Sequence, residues 1–206
     1  MSVGGIDQPP RRRTGGRSAR VREAALRAVL DTVAERGPDA VTMNEVARRA
    51  GVHATSVQRR WGTRQKLVLD ALLAYSREQL TIPDTGALRG DLASLAQSLA
   101  EYLATPLGLM LAQAMAVADD DDEIAAARAD FWNARYDATK IIISRAVQRG
   151  ELPPGTDSEL VIQMVIAPIH FRALLTRQAI DDGLIAHIVD AVERGFGTTL
   201  YQKANP

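Results

Sequence analysis

The sequence predicts an all-α fold of about nine helices, with an N-terminal three-helix helix-turn-helix domain followed by a larger C-terminal helical domain. Three observations predict this fold. Apolar residues recur at helical spacing in every long segment. Stretches that contain Gly and Pro, such as 81–86 and 150–157, separate these segments. No segment shows the alternation of polar and apolar residues that is typical of a half-buried strand.

The N-terminal part begins with residues 1–16, which are rich in Gly, Pro and Arg and offer little apolar surface to bury. We expect these residues to form a disordered basic arm. A first helix is predicted over 17–36, because its apolar residues have helical spacing and Gly37 and Pro38 follow it.

The stretch 42–61, TMNEVARRAGVHATSVQRRW, has the layout of a helix-turn-helix. Thr42 and Glu45 form a T-x-x-E capping box, which predicts where the first of its two helices starts. Gly51 can take a positive φ and end that helix in a tight turn. The second helix is dense in polar and cationic side chains and ends at Trp61, whose ring we expect to close an apolar cluster. In a helix-turn-helix, this second helix lies in the major groove of DNA.

Six further segments complete the predicted helices, and each is bounded by residues that start or break a helix. They are 63–80, 88–104, one starting at Pro106, 123–149, 158–178 and 184–200. The acidic run 119–122 precedes the fourth of these segments. We expect it to stabilise the N-terminus of that helix through the helix dipole rather than to bind a metal ion.

Composition limits the functional classes. The chain has 206 residues and no cysteine, which excludes a disulfide framework and thiolate chemistry. Residues 1–66 hold 14 Lys/Arg and 6 Asp/Glu, whereas residues 67–206 hold 11 and 19. This asymmetry indicates that only the N-terminal domain approaches a polyanion. The N-terminus lacks the apolar region of a secretory signal, and no run approaches the ~18 apolar residues of a membrane span, so we expect a cytoplasmic protein without a membrane partner.

Residues from about 17 to 73 resemble the DNA-binding domain of the tetracycline-repressor (TetR) family of bacterial regulators. The resemblance is carried by TMNEVARRAGV, by the short helix that ends in an aromatic residue, and by the Thr-capped GTRQKLV. Two positions depart from the family's pattern. His53 stands where members usually carry a small N-cap residue, and Gln58 stands where they usually carry Tyr. An amide at position 58 can read adenine.

The predicted DNA contacts lie on and around the second short helix. We expect the base-facing side chains to be Thr55, Ser56, Gln58 and Arg59. The flanking side chains, several of them nearer the phosphates, are Arg17, Thr42, His53, Arg60 and Arg64. The arginines at positions 11–13 are interpreted as a source of phosphate attraction or a minor-groove arm, with a merely solvated tail as the alternative.

The resemblance implies three parts, which are the arm over 1–16, the helix-turn-helix domain over 17–62 and a ligand-binding and dimerisation domain over 63–206. Members of the family usually bind a small molecule among the C-terminal helices. The candidate lining residues are aromatic, Met and His side chains, although such side chains also fill ordinary cores. They are Tyr102, Met110, Met115, Phe131, Trp132, Tyr136, Met164, His170 and Phe171.

The segment 158–178 is apolar over more than one face, which indicates that more than one face is buried. One face can cover the protein's own core, and a second copy is the simplest partner for the other. The alternative is an interior helix of a monomeric bundle. We expect Val161 on the outward face of this helix and Val192 on the outward face of the last helix, 184–200. Pro168 is expected to kink the helix, which either opens a cavity or tilts the dimer helix.

Together these inferences predict a homodimeric repressor that releases a palindromic double-stranded DNA operator when it binds a small lipophilic effector. No cofactor is expected, and the protein is nucleoid-associated when bound to DNA. The alternatives are a ligand-independent or activating regulator and an architectural DNA-binding protein, which the acidic C-terminal domain disfavours. An enzyme is not expected, because the sequence has no Gly-rich phosphate loop and no acid–base pair of recognisable spacing.

Overall fold

The structure is a computed structural model that describes residues 15–116 and 122–197. Within this part of the chain it contains nine α-helices and no strand, which confirms the predicted all-α fold. The helices are α1 (Gly15–Arg36), α2 (Met43–Ala50), α3 (Ala54–Trp61), α4 (Arg64–Gln79), α5 (Leu88–Ala104), α6 (Pro106–Ala116), α7 (Asp122–Gln148), α8 (Ser158–Phe171) and α9 (Asp182–Phe196). The predicted arm, except for its last two residues, and positions 119–121 of the acidic run lie outside the described residues.

The chain forms two compact units, Met1–Val68 and Leu69–Pro206. In the first unit α1 packs on α2 and α2 packs on α3. The core between them contains Val29, Val46 and Val57, each 0% exposed. Helix α4 belongs to both units, because its first five residues fall in the first unit and the rest fall in the second.

Helix α5 is the centre of the second unit. It packs against α6, α7, α8 and α9, and α8 also packs against α7 and α9. Buried aliphatic side chains such as Leu92, Ile142 and Val165 fill the space between these helices. With four helices around α5, a cavity can remain where their side chains do not meet.

Side-chain caps fix several helix starts. The Thr63 hydroxyl accepts a hydrogen bond from the Lys66 N–H at 3.3 Å, as the predicted cap of α4 requires. Asp157 accepts from the Leu160 N–H at 3.0 Å at the start of α8. Asp181 accepts from the Leu184 N–H at 2.8 Å, so α9 begins two residues before the predicted start.

The predicted continuous helix over 158–178 is wrong at its C-terminal end. Helix α8 runs through Pro168 to Phe171, and a π-helical turn over Arg172–Thr176 follows. The wider turn begins one helical turn after Pro168, whose missing N–H removes one hydrogen bond from the helix. Arg177 then ends the segment with a left-handed φ of 51°.

The segment Ser158–Thr176 is long and apolar enough, by length and composition alone, to cross a membrane, with a mean hydropathy of 1.4. The sequence prediction missed this because it counted uninterrupted apolar runs. The core helix of a soluble protein has the same composition. In this segment Val161, Ile162, Val165 and Ile169 are buried within the second unit, whereas most of the remaining positions are not.

The expected outward positions of Val161 and Val192 are wrong, since the two side chains are 0% and 1% exposed. The large apolar side chains that α8 and the π-helical turn leave exposed lie on another face. They are Leu160, Met164, Phe171 and Leu175. Their spacing of four, seven and four residues places them in one stripe along the helix.

Candidate nucleic-acid interface and ligand cavity

The helix-turn-helix has the local geometry that its sequence predicts. The Thr42 hydroxyl accepts a hydrogen bond from the Glu45 N–H at 3.1 Å and so caps α2. Gly51 ends α2 in the left-handed conformation with φ 66° and ψ 33°, which glycine adopts without strain. Trp61 is 7% exposed and closes the apolar cluster at the end of α3.

Only the Thr42 half of the predicted capping box is formed, because among the described residues the Glu45 carboxylate bonds to arginines and not to the Thr42 N–H. This carboxylate accepts hydrogen bonds from Arg48 at 2.8 Å, Arg49 at 2.8 Å and Arg36 at 2.7 Å. These three guanidinium groups hold the pKa of Glu45 far below its ordinary range. Arg49 also pairs with Glu35 at 2.7 Å, so the network ties α1 to α2.

The side chains predicted to face the bases lie on α3. Thr55, Gln58 and Arg59 are exposed, whereas Ser56 is half-buried. The Gln58 amide donates a hydrogen bond to the Gly62 carbonyl at 2.6 Å, which satisfies the C-terminus of α3. Arg59 makes no hydrogen bond or ion pair within the described part of the chain, so its guanidinium is available to DNA.

The flanking side chains are held by the protein to different degrees. Arg60 donates to the Ser18 hydroxyl at 3.0 Å, and its guanidinium lies 5.5 Å from the Trp61 ring centre. Arg64 donates to the Pro38 carbonyl and to Asp39, the latter at 3.2 Å. The flanking residues Thr42 and His53 are exposed, and His53 makes no side-chain cap bond at the start of α3. Arg17 lies in α1, but its side chain is outside the described part.

The second unit contains a cavity of about 430 Å³, partly open to solvent, between α4, α5, α6, α7 and α8. Six of the nine candidate lining residues line it, namely Tyr102, Met115, Phe131, Trp132, Tyr136 and His170. Gln163 of α8 lines it as well. A cavity of this size and apolar character is typical of a small-molecule site.

Three of the predicted ligand residues do not line this cavity. Met164 is 41% exposed and Phe171 is 53% exposed, and both belong to the outward stripe of α8. Met110 lies half-buried on α6. Helical periodicity groups these residues with the lining residues, but it does not tell an inward face from an outward one.

An aromatic cluster forms one wall of the cavity, and Trp132 is at its centre. The Trp132 ring centre lies 5.3 Å from that of Phe131, 5.9 Å from that of Tyr136 and 6.0 Å from that of His170. Edge-to-face and offset arrangements at these distances are attractive. The cluster joins α7 to α8, so a ligand against Trp132 contacts both helices.

His170 presents an acceptor on this wall. Its Nδ1 lies 2.9 Å from the Ile166 carbonyl oxygen, which can only accept, so Nδ1 carries the proton. Burial lowers the pKa of His170 below its ordinary value of 6.5 and keeps the ring neutral at neutral pH. The remaining nitrogen, Nε2, is therefore a hydrogen-bond acceptor.

Sequence analysis missed the polar lining residues Ser76, Arg135 and Thr139. Thr139 bonds to carbonyls of its own helix at 3.0 Å. The Arg135 guanidinium donates to the Leu80 carbonyl at 3.0 Å. The spacing of four residues places Arg135 on the same helix face as Phe131, but for a polar residue this spacing does not by itself indicate burial.

The fold and these two sites define a bacterial helix-turn-helix transcriptional regulator with a cavity in its C-terminal helical unit. Residues 25–71 match the model for bacterial regulatory proteins of the tetR family, and residues 82–192 match the model for the tetracyclin repressor-like C-terminal domain. The chain belongs to the TetR family of DNA-binding transcriptional regulators.

Several relatives support this assignment. The HTH-type transcriptional regulator AqdR of Rhodococcus erythropolis is 39% identical over 154 residues, which cover 75% of this chain and 74% of that protein. The DNA-binding transcriptional repressor TetR of Mycobacteroides abscessus is 33% identical over 177 residues, covering 83% and 91% of the two chains. A crystal structure of a TetR family transcription regulator superimposes with a TM-score of 0.75 at 25% identity, covering 85% and 97%.

Proposed function

We propose that this chain is a homodimeric transcriptional repressor that releases a palindromic operator when a small lipophilic molecule occupies the cavity. The observation that carries the proposal is the cavity itself, because Ser76 and Leu80 in its wall come from α4 and the segment that follows it directly. Helix α4 begins at Arg64 within the DNA-binding unit. The name of the M. abscessus relative as a repressor supports the sign of the response.

The coupling between ligand and DNA follows from this connectivity. From Arg64 to Ser76 the chain is continuous helix over about 18 Å, at roughly 1.5 Å per residue. Arg135 holds the Leu80 carbonyl at 3.0 Å, and Arg145 pairs with Asp84 at 3.2 Å, so α7 fixes the C-terminal end of α4. A ligand that moves α7 therefore moves α4. It changes operator affinity only to the extent that it binds the two arrangements differently.

Dimerisation is proposed from the outward stripe of α8. Leu160 is 44% exposed and Leu175 is 72% exposed, and a second copy of the stripe is the simplest cover for such side chains. A dimer also presents two copies of α3 to DNA, which suits a palindrome with half-sites about 34–36 Å apart. Because the proposed function requires DNA, we place the protein in the cytoplasm, where it associates with the nucleoid when it is bound to DNA.

The decisive experiment couples ligand occupancy to operator release. The chain has two tryptophans, so in a Trp61→Phe background emission comes from Trp132 alone. Aromatic lipophilic compounds of drug size should change Trp132 emission and release operator DNA over one common concentration range. The double variant Phe131→Ala with Tyr136→Ala should lose both responses, whereas Met110→Ala, outside the cavity wall, should keep them.

A compound that releases operator from the double variant as well as from its parent, without a change in Trp132 emission, would place the effector site elsewhere. Measuring transcription distinguishes a repressor from the alternative of an activating regulator. Deleting the gene should raise transcription from a promoter that carries the footprinted operator if the protein represses, and lower it if the protein activates.

A further inference from the structure

The wall of the cavity contains two buried hydroxyl groups whose hydrogen bonding is incomplete. Ser76 is 0% exposed and Tyr102 is 6% exposed, and although the two hydroxyls lie close enough to interact, neither makes a well-formed hydrogen bond among the described residues. Both residues line the cavity. A buried hydroxyl without a full set of hydrogen-bond partners is unfavourable, so such groups in a cavity wall indicate the polar part of a ligand.

Arg135 adds a cation to the same wall. Its guanidinium makes one hydrogen bond, to the Leu80 carbonyl, and pairs with no carboxylate in the described part of the chain. A guanidinium has five N–H donors and keeps its charge in proteins, so donors remain for another partner. Burial lowers the pKa of Arg135, which reflects the unfavourable desolvation of an unpaired charge.

These three groups lie close to one another. Burial raises the pKa of Tyr102 to about 12, and the neighbouring Ser76 hydroxyl and Arg135 charge partly oppose this rise. Tyr102 is therefore a neutral phenol at neutral pH and can donate its proton. The rest of the lining is mostly apolar, and His170, which carries the acceptor on the aromatic wall, is neutral.

We propose that the effector is a lipophilic organic acid with a single carboxylate or similarly acidic oxygen group. Its apolar body lies against Trp132 and Tyr136, and its anionic oxygens pair with Arg135 and accept hydrogen bonds from Tyr102 and Ser76. The assignment rests on the proposed function, since it names the ligand chemistry of that cavity. Arg135 is the one cation among the described lining residues, and it balances one negative charge but leaves a phosphate dianion undercompensated.

The position of Arg135 also connects the acid group to the DNA-binding unit. The guanidinium that would bind the carboxylate is the one that holds the Leu80 carbonyl at the end of α4. Pairing with the acid draws Arg135 toward the cavity and weakens that hold. A neutral ligand of the same shape fills the cavity without this competition.

The test compares two acids with their isosteric neutral amides: decanoate with decanamide, and 2-naphthylacetate with 2-naphthylacetamide. Calorimetric titration of the full chain at neutral pH should give each acid a Kd at least about tenfold lower than its amide, as a charge-assisted hydrogen bond implies. Arg135→Gln should abolish the preference and leave amide binding within about twofold, whereas Arg135→Lys should keep most of it. Tyr102→Phe and Ser76→Ala should each weaken acid binding by about 2- to 10-fold.

Equal affinity for acid and amide, or an Arg135→Gln variant that retains the acid preference, would overturn the assignment. Failure of both pairs to bind would also overturn it. Melting curves report whether each variant is folded. If Arg135→Gln does not fold, Tyr102→Phe becomes the test variant, because it removes only one oxygen atom. An unchanged preference of this variant for the acid over the amide would then contradict the proposal. Acids that bind with the expected preference but leave operator binding intact would uphold the ligand chemistry and contradict the proposed repressor switch.

Discussion

The side chains predicted to contact DNA differ in how freely they can do so. Arg59 is exposed and unengaged within the described chain, whereas Gln58 and Arg60 already bond to Gly62 and Ser18. An engaged side chain exchanges one hydrogen bond for another on binding DNA, so its net contribution is small. We therefore expect Arg59 to contribute more affinity than Arg60.

Gln58 is expected to read one base. Reading adenine through both amide atoms requires the Gln58 side chain to leave the Gly62 carbonyl. Gln58→Ala should weaken operator binding by about 1 kcal/mol, at the low end of the usual 1–3 kcal/mol for one base contact, and relax preference at one base pair. The measurement is Kd against operators that carry single base changes.

Gln79→Ala, an exposed amide at the end of α4, is the matched control and should bind like the parent. If Gln58→Ala instead lost the same affinity on every sequence, Gln58 would act only on the DNA backbone or on the end of α3.

At the residue scale, sequence could identify the aromatic wall but not its polar part. Phe131, Trp132 and Tyr136 are conspicuous in a chain with few aromatic residues. Ser76 and Arg135 are not, because polar residues on a helix usually face solvent. Their burial is decided by helices from distant parts of the sequence, which periodicity within one helix does not report.

At the scale of elements, local chemistry predicts where a helix begins and ends, but it does not predict which face of the helix is buried. Thr42, Gly51 and Thr63 act within one turn of their own helix, so the sequence predicts where α2 and α4 begin and where α2 ends. A helix that is apolar all round, such as α8, gives no such signal for its two faces. This is why Val161 was expected outside and Met164 inside, when the structure places them the other way.

The stripe on α8 predicts the oligomeric state. Leu160→Glu combined with Met164→Glu places two charges on the exposed face without disturbing the buried one, so the variant should be a folded monomer. Light scattering should report half the parental mass. Operator binding should fall by more than tenfold, because two linked half-site contacts become independent.

The control for this experiment is Ala125→Glu, which adds a charge to an exposed position on α7. It should remain dimeric and bind operator normally. A double variant that stays dimeric in solution would move the interface to another face and would leave the stripe without a partner.

At the scale of the whole molecule, the net charge differs in sign between the two parts of the sequence. Residues 1–66 carry a formal net charge of +8, from 14 cations and 6 anions, and the rest carries −8, from 11 and 19. DNA therefore attracts the first part of the sequence and repels the second. A protein that coats DNA would expose positive charge throughout, so this arrangement favours a regulator that binds DNA through a single domain.

The arginines at positions 11–13 supply three of those cations, and they provide the last prediction. Phosphate contacts release condensed counterions, and each contact contributes about 0.9 to the slope of log K against log salt. Replacing all three arginines with Ala should weaken binding to operator and to random DNA by the same factor. The slope should become shallower by up to about 2.7, if each arginine meets one phosphate.

Arg177→Ala, which removes an exposed cation from the acidic unit, should leave the slope unchanged. A triple variant with the parental slope would mean that these arginines are merely solvated. A loss confined to operator DNA would instead assign them to base reading in the minor groove.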